Sequence, residues 1–240
     1  MSLKSNSISF IVPCFNEENN IKSTIKEIYL SVENTKIIEF EIIIIDDGST
    51  DKTFEIISKI EEKNKNIFII KNLQNLGLGG AIKKGLSSAK FYNVMFLPGD
   101  NCHKNSEIKK LITVENEHDL VLTYYTNPEV RNYFRSIFTK LYTPFLNFIF
   151  QLNLPYYNGL AVYKRSVINS INIYTNSFTW QIEVLLKLFK TKDIKYMVIP
   201  TKLDDRTQGK SKAFNFKNSI YVLYSIGRLF CLNFFLKKKD

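Results

Sequence analysis

The chain has 240 residues with 45% hydrophobic content and a formal net charge of +10. This length and composition support one sizeable hydrophobic core and exclude a disordered, collagen-like or low-complexity protein. The three cysteines, Cys14, Cys102 and Cys231, are too few and too widely spaced for a disulfide framework or a structural zinc site, which favours a reducing, cytoplasmic location. The positive charge suits nucleic acid, anionic lipid or a phosphorylated substrate, but the mixing of basic residues with long apolar runs argues against nucleic acid.

The first predicted elements alternate between strand and helix. Residues 8–13, ISFIVP, predict a buried strand, and the polar residues 1–7 before it indicate no signal peptide. Residues 16–18, NEE, then lead into a helix whose apolar stripe begins at Ile21.

The second predicted strand ends in two carboxylates. Residues 42–45 are four consecutive isoleucines, which is typical of a strand buried on both faces of a parallel sheet. Asp46 and Asp47 follow at once, at the carboxyl end where open α/β sheets bind ligands, and Gly48 permits a sharp turn. On this stretch alone, a binding site and a plain strand–turn–helix joint with solvated acids remain equally open.

A glycine-rich loop follows the third predicted strand, residues 66–71. Gly77, Gly79 and Gly80 leave the backbone bare, which allows either a close approach to a ligand or neighbouring strand, or a tight turn without a ligand. A dinucleotide fingerprint would need glycine at the position of Ile82, so the sequence does not predict a nicotinamide or flavin site.

The fourth predicted strand, residues 94–97, also ends near an acid. Pro98, Gly99 and Asp100 follow it directly. If a diphosphate binds close to Asp100, a divalent cation is expected between the carboxylate and the phosphates, because the two anions would otherwise repel. The isolated His103 is predicted to be a surface or capping residue.

The later elements are less regular. A helix to about residue 117 and a fifth strand at 120–123 precede an aromatic and basic stretch at 131–152, which is too charged at its start to span a membrane. Further predicted elements are a strand at 156–162, a helix at 177–190 and a strand at 195–200.

Two basic segments close the sequence. Residues 204–214, DDRTQGKSKAF, have a composition suited to a mobile loop that closes on phosphates, although the segment by itself favours a charged surface loop. Residues 219–236, followed by three lysines, suit an amphipathic helix at a membrane interface. The predicted fold class is therefore α/β, a doubly wound, mostly parallel central sheet with helices on both faces and a C-terminal amphipathic helix.

Six segments, in order along almost the whole chain, resemble the motifs of family 2 glycosyltransferases with the GT-A fold, closest to the dolichyl- or polyprenyl-phosphate sugar transferase branch. They are SFIVPCFNEENNI, EIIIIDDGSTDKT, NLGLGGAIKKGL, FLPGDNCH, YYNGLAVYKRSVI and RTQGKSKAF. The resemblance implies a glycosyltransferase domain over residues 1–214, with a nucleotide-sugar-binding half at 1–125, an acceptor-binding half at 126–214 and a basic membrane-interface tail at 215–240.

The resemblance also implies roles for single residues. Asp46 would accept hydrogen bonds from the nucleoside base, and Asp100 resembles the acid that holds Mg2+ or Mn2+. The other residues implied to contact the donor or the acceptor phosphate are Pro13, Phe15, Glu17, Asp47, Gly99, Arg131, Arg135, Arg206 and Lys212. Pro98 and Cys102 depart from the family pattern, which leaves fewer protein ligands for the ion and leaves open a weak metal dependence or a loss of activity.

The implied reaction is inverting transfer of a sugar from a UDP- or GDP-sugar to a polyprenyl phosphate, by an enzyme peripheral at the cytoplasmic membrane face. A lipid phosphate is already anionic and needs no strong base. A saccharide hydroxyl, as in cell-surface polysaccharide synthesis, would need one, for which Glu183 is the candidate, and the alternative for Glu183 is a helix-surface carboxylate. A third interpretation, suggested by Pro98 and Cys102, is a non-catalytic module that binds a nucleotide or a lipid phosphate.

Overall fold

The computed structural model describes residues 6–114, 117–127, 133–204 and 216–236. The strands of this part of the chain are β1 (Ser7–Cys14), β2 (Glu39–Asp46), β3 (Ile67–Lys71), β4 (Asn93–Phe96), β5 (Leu120–Tyr125), β6 (Ala161–Lys164) and β7 (Tyr196–Thr201). The helices are α1 (Ile21–Val32), α2 (Thr53–Glu61), α3 (Leu78–Ser88), α4 (Asn105–Ile112), α5 (Tyr133–Phe150), α6 (Arg165–Ile168), α7 (Trp180–Thr191) and α8 (Phe216–Phe235).

All seven of these strands form one sheet in the order β3-β2-β1-β4-β6-β5-β7. β1 is parallel to β2 and β4, β2 to β3, and β5 to β7, whereas β6 is antiparallel to both of its neighbours. Two antiparallel pairings in succession return β5 and β7 to the direction of β4. The mostly parallel α/β sheet predicted from the sequence is therefore confirmed, and every strand except β6 ends at the same edge.

Helices cover both faces of the sheet, and β2 shows why. Ile43 and Ile45 pack in one buried cluster with residues of α3, α5, α7 and α8. Ile42 and Ile44 pack in a second cluster with residues of α1, α2 and α4. Because successive side chains of a strand point to opposite faces, an unbroken isoleucine run is what a strand between two helical layers requires.

Three predicted boundaries are wrong. α4 ends at Ile112 and not near residue 117. The strand expected at 156–162 forms at Ala161–Lys164, because side chains bind the backbone before it: Gln181 Nε2 donates to the Gly159 carbonyl at 2.9 Å and Thr123 Oγ1 to the Leu160 carbonyl at 3.0 Å. The helix expected at 177–190 begins at Trp180, after hydroxyl groups that hydrogen-bond one another.

The two longest helices, α5 and α8, pack against each other. Asn233 Nδ2 of α8 donates to the Ile149 carbonyl of α5 at 3.4 Å, and α5 contains Pro144. The C-terminal helix predicted from the sequence is present. No helix in the described ranges combines the length and the apolar content needed to cross a bilayer.

Candidate active site

Three loops meet at the carboxyl edge of the sheet, with the end of β1 in the middle. Cys14 of β1 pairs in register with Asp46 of β2, and the Asp47 N–H donates to the Cys14 carbonyl at 2.9 Å. On the other side of β1, the Gly99 N–H donates to the Pro13 carbonyl at 3.1 Å. Adjacent strands lie about 4.8 Å apart, so the acids that follow β2 and β4 belong to strands only about 10 Å apart. Asp46 and Asp100 therefore share one edge of the molecule.

The loop after β1 is clasped to the loop after β2. The Asn16 N–H donates to Ser49 Oγ at 2.9 Å, and the Thr50 N–H donates back to Asn16 Oδ1 at 2.7 Å. The Glu17 N–H donates to Thr53 Oγ1 at 2.8 Å. Asn16 has a φ of 52°, a left-handed conformation that asparagine tolerates better than most residues. These contacts hold the segment with Phe15 and Glu17 in a fixed relation to Asp46, and no sequence pattern predicted these roles of Ser49 and Thr53.

Asp46 is fully buried, and the described residues use only one of its carboxylate oxygens. Oδ1 accepts a hydrogen bond from the Ser49 N–H at 3.1 Å. Oδ2 is buried and has no hydrogen-bond partner within the described residues. Burial raises the pKa of the neighbouring Cys14 thiol, and the Asp46 carboxylate raises it further, so this cysteine is a protonated packing residue. A buried carboxylate oxygen without a donor is costly, and a bound molecule with an N–H group would satisfy it.

Asp47 serves the protein itself. Its Oδ1 accepts from Asn72 Nδ2 at 2.7 Å and from the Leu76 N–H at 2.9 Å, and its Oδ2 accepts from the Gly77 N–H at 3.0 Å. The side chain is buried. All of these interactions fix the glycine-rich loop, and the direct substrate contact predicted for Asp47 remains a prediction. Asn72 is in turn held by Lys84 Nζ, which donates to its Oδ1 at 2.6 Å.

The glycine-rich loop makes its close approach to another loop of the protein, residues 174–177. The Gly79 N–H donates to the Asn176 carbonyl at 2.9 Å. A Cβ added at Gly79 would lie 2.5 Å from the Thr175 carbonyl oxygen, and one added at Gly77, where φ is 81°, would lie 2.5 Å from the Asn176 carbonyl oxygen. The bare backbone predicted from the sequence is therefore explained by a loop–loop contact across nearly 100 residues of chain.

Gly79→Ala is expected to lower the free energy of unfolding by about 1–3 kcal/mol, since the new methyl group meets backbone atoms that have little room to shift. Gly227→Ala is the matched control, because it adds the same methyl group to a helix where no atom lies within 4 Å. The control should be neutral or more stable by up to about 1 kcal/mol. Urea unfolding followed by circular dichroism measures both, and equal stability of the two variants would contradict the loop contact.

The candidate base Glu183 is fully buried. Its carboxylate accepts hydrogen bonds from the Tyr174 N–H at 3.0 Å and the Thr175 N–H at 2.8 Å, and it pairs with Lys187 Nζ at 2.5 Å. Lys187 also donates to the Asn172 carbonyl at 2.6 Å. The helix-surface position considered for Glu183 is therefore wrong, because α7 is buried on nearly all sides, and its role as a general base remains a prediction. The pair holds the loop that contacts Gly79.

Asp100 lies at the opposite side of the β1 end and is half-buried. Its Oδ1 accepts from the Cys102 N–H at 3.3 Å. The next residue, Asn101, has a φ of 56°, donates its N–H to Thr24 Oγ1 at 3.0 Å, and carries a buried Oδ1 with no hydrogen-bond partner among the described residues. These neighbouring oxygens are hard donors of the kind Mg2+ and Mn2+ bind.

The described residues contain no cluster of three His, Cys, Asp or Glu side chains that would hold an ion alone. Mg2+ usually needs only one or two carboxylates when substrate phosphates and water supply the other ligands. The donor set at Asp100 therefore fits an ion that arrives together with a diphosphate.

An aromatic group lies next to the Asp100 loop. His103 is buried and stacks on Tyr125 with ring centroids 6.0 Å apart, and Tyr125 meets Tyr156 edge to face at 5.3 Å. The surface position predicted for His103 is therefore wrong. Tyr125 and Tyr156 had no predicted role, and the only local signal was their position just after the strand predicted at 120–123 and at the start of the strand predicted at 156–162.

Two further chain segments are bound at this edge: residue 127, which precedes the aromatic and basic stretch at 131–152, and residues 203–204, which precede Arg206. The Asp204 N–H donates to the Cys102 carbonyl at 3.1 Å. The Leu203 N–H donates to Asn127 Oδ1 at 2.9 Å, and Asn127 Nδ2 donates to the Leu203 carbonyl at 2.7 Å. Residues 127 and 204 thus lie beside the Asp100 loop.

Four of the predicted phosphate-binding residues are not described at the level of their side chains. Arg131, Arg206 and Lys212 lie outside the described residues, and Arg135 is described only as part of the α5 backbone. Their roles remain predictions.

Comparison with known proteins gives a consistent result. Residues 9–171 match the family model described as Glycosyl transferase family 2. A dolichyl-phosphate beta-glucosyltransferase ALG5D of Trichomonas vaginalis is 31% identical over 145 residues, which are 56% of this chain and 44% of that protein. A poly-beta-1,6-N-acetyl-D-glucosamine synthase of Staphylococcus aureus is 33% identical over 177 residues, which are 72% of this chain and 38% of the synthase. The chain thus spans less than half the length of these two relatives.

Among solved structures, glucosyl-3-phosphoglycerate synthase from Mycobacterium tuberculosis, in complex with Mn2+, UDP and glucosyl-3-phosphoglycerate, superposes with a TM-score of 0.66. The match covers 98% of this chain and 81% of that chain at 20% sequence identity. This likeness shows that the two proteins share a fold.

Proposed function

From the premise that the chain belongs to glycosyl transferase family 2 and is a glycosyltransferase, we propose that it transfers a sugar, with inversion, from a nucleoside diphosphate donor to a polyprenyl phosphate at the cytoplasmic face of a membrane. The observation that carries the proposal is the shared edge of Asp46 and Asp100. Asp46 Oδ2 and the Oδ1 of Asn101, next to Asp100, are buried oxygen atoms that no described residue satisfies. We assign donor binding to residues 1–125, acceptor binding to 126–214 and membrane contact to 215–240.

The base of the donor binds at the Asp46 side of the edge. Asp46 Oδ2 accepts an N–H hydrogen bond from uracil or guanine. This bond offsets the free-energy cost of burying the oxygen atom without a donor. Pro13, Phe15 and Glu17 border the nucleoside, and the clasp through Ser49 and Thr53 keeps them in place before the donor arrives. A preorganised loop of this kind lowers the ordering cost of binding.

The diphosphate of the donor extends towards Asp100. Gly99 keeps the backbone close to the end of β1, since a Cβ there would lie 3.0 Å from Cys14 Cβ. Asp100 would hold a divalent cation, whose chemistry would be to offset the charge on the departing nucleoside diphosphate. Arg206 and Lys212 place positive charge beside the same leaving group and stabilise its negative charge.

The proposed acceptor is a lipid phosphate. A phosphate oxygen is already anionic and can attack the anomeric carbon without a strong base. The burial of Glu183 in an ion pair supports this choice over a saccharide hydroxyl, which would need a base. Arg131 and Arg135 receive the phosphate. A dolichyl-phosphate transferase among the relatives supports the same acceptor class.

The test is direct assay of the purified chain with undecaprenyl phosphate, Mg2+ or Mn2+, and a panel of UDP- and GDP-sugars. One donor should yield a radiolabelled glycolipid and free nucleoside diphosphate. Transfer to a saccharide with no glycolipid would favour the polysaccharide alternative. Nucleotide binding without any transfer would identify a non-catalytic module.

Asp46→Asn is expected to weaken binding of the cognate nucleotide by about 10- to 100-fold, because an amide NH2 cannot accept the N–H of the base and leaves a buried donor facing it. Isothermal titration with UDP and with GDP measures the effect. Glu41→Gln is the control: Glu41 is also buried in β2, but at the opposite edge, where it accepts from Ser9 Oγ at 2.7 Å. Unchanged nucleotide affinity in Asp46→Asn, or an equal loss in the control, would contradict the assignment.

A further inference from the structure

The net positive charge of the chain comes from two segments that lack acidic residues. Residues 130–182 and 206–239 hold 13 of the 33 lysines and arginines and none of the 23 aspartates and glutamates. The remainder of the chain has 20 basic against 23 acidic residues, so the two segments account for the entire positive excess. α5 lies in the first segment and α8 in the second.

α5 presents large apolar side chains to solvent along one face. Leu141, Phe145 and Phe148 are exposed by 69%, 52% and 84%, and their spacing of four and three residues places them on the same side of the helix. Leu146 and Phe150 of the same helix are buried in the core. The exposed face is therefore additional to the face that α5 needs for folding.

α8 repeats the pattern. Phe234 and Phe235 are 72% and 81% exposed, and Phe230 meets Phe234 edge to face with ring centroids 5.0 Å apart. Ile226 and Leu229 face the core instead. Five of the six exposed phenylalanines in the described part of the chain lie on α5 and α8.

The two helices are joined at the level of these rings. The hydrogen bond between α5 and α8 runs from Asn233 to the Ile149 carbonyl, and Phe148 and Phe234 are the sequence neighbours of these two residues. We define the aromatic surface as Leu141, Phe145, Phe148, Phe230, Phe234 and Phe235. An exposed apolar group of this size is unusual on a protein without a partner for it.

We propose that the aromatic surface docks on an anionic lipid bilayer, with the rings at the level of the headgroups, and that the basic residues of the two segments supply the attraction to the lipid phosphates. Aromatic side chains flanked by lysine and arginine, with no carboxylate on either helix, match the chemistry of such an interface. Arg228 is exposed on α8, and three lysines follow that helix in the sequence. A second copy of the chain would bring two such basic segments together, so like-charge repulsion disfavours a dimer through this surface.

This inference rests on the proposed function. It adds the surface that brings the enzyme to its lipid acceptor. α5 begins six residues after Asn127, which is bonded to Leu203 beside the Asp100 loop. The helix that carries half of the aromatic surface therefore starts at most about 20 Å from Asn127 at the candidate active site, and transfer to a membrane-held phosphate requires such a connection.

The test is flotation of the full chain with vesicles of 70% phosphatidylcholine and 30% phosphatidylglycerol, without donor or acceptor. The wild type should float with these vesicles, and it should bind at least tenfold more weakly to pure phosphatidylcholine and in 0.5 M NaCl. Phe148→Ser combined with Phe234→Ser should reduce binding to the anionic vesicles at least tenfold. Ile38→Ser is the control, because Ile38 is a comparably exposed apolar side chain outside the aromatic surface.

Three results would overturn the proposal: a wild type that does not float, a double variant that floats like the wild type, or a concentration-dependent dimer that the double variant abolishes. Folding of the variants is checked by circular dichroism. Transfer to a short, water-soluble prenyl phosphate separates the two proposals, since the double variant should keep that activity. Vesicle binding without any transferase activity would leave the aromatic surface standing and refute the polyprenyl phosphate acceptor.

Discussion

Asp100→Asn is expected to lower the rate of sugar transfer by at least about 100-fold, which corresponds to about 2.7 kcal/mol of transition-state stabilisation. The substitution keeps the size of the side chain and its acceptor for the Cys102 N–H, and it removes the charge that would hold a divalent ion against the diphosphate. Initial rates measured across a Mn2+ titration at saturating donor test this expectation.

Asp204→Asn is the matched control, because it removes a carboxylate from the same edge of the sheet. Asp204 lies 3.7 Å from Lys104, and its N–H binds the Cys102 carbonyl, but its side chain is not assigned to the ion. Its rate should stay within about threefold of the wild type, in line with the small effect of a partly exposed ion pair.

In calorimetry, Mn2+ should strengthen UDP or GDP binding to the wild type and to the control, and not to Asp100→Asn. A metal effect that survives in Asp100→Asn would show that another residue holds the ion.

Glu183→Gln is expected to lower the free energy of unfolding by about 3–5 kcal/mol, the usual effect of removing one partner from a buried ion pair. Lys187 would remain buried without its counter-charge, and the N–H groups of Tyr174 and Thr175 would lose a charged acceptor. Urea unfolding at neutral pH measures the change.

The chain contains a control with the same geometry. Glu55 and Lys59 form an i, i+4 pair at 2.6 Å on α2, like the 2.5 Å pair of Glu183 and Lys187 on α7, but both of its side chains are more than half exposed. Glu55→Gln should cause no measurable change in stability, because water screens an exposed pair. Equal effects of the two substitutions would contradict a structural role for Glu183.

A second variant separates position from catalysis. Replacing both members of the buried pair by methionine should recover part of the lost stability, because no unpaired charge remains while the N–H groups of Tyr174 and Thr175 still lack their acceptor. At a temperature where Glu183→Gln is folded, its transfer rate to a lipid phosphate should stay within about tenfold of the wild type. A fully stable Glu183→Gln that is catalytically dead would restore the general-base role.

Local pattern predicted most of the donor side of the molecule. The isoleucine run at 42–45 could satisfy only a strand covered on both faces, and the acids after it had to lie at the carboxyl edge because parallel strands end together. The same reasoning placed Asp100 at that edge. These inferences succeed because they depend on neighbours in the sequence and on the period of a strand.

Adjacent residues with the same chemistry received different roles only in the folded chain. Asp46 and Asp47 are indistinguishable in the sequence, yet one keeps a buried oxygen without a partner among the described residues and the other is saturated by the glycine-rich loop. Alternation along the chain turns the two side chains in different directions, and the partner of Asp47 arrives from about 30 residues away.

The sequence by itself determined the α/β class, the mostly parallel sheet, the family and the edge at which two acids meet, because strand periodicity and motif order are local properties. Only the tertiary structure decided that Glu183 is buried against Lys187, that Gly79 packs on Thr175, and that the rings of α5 and α8 remain exposed. Those outcomes depend on which distant segments the topology brings together, and burial is a property of the packed molecule that no single stretch of sequence contains.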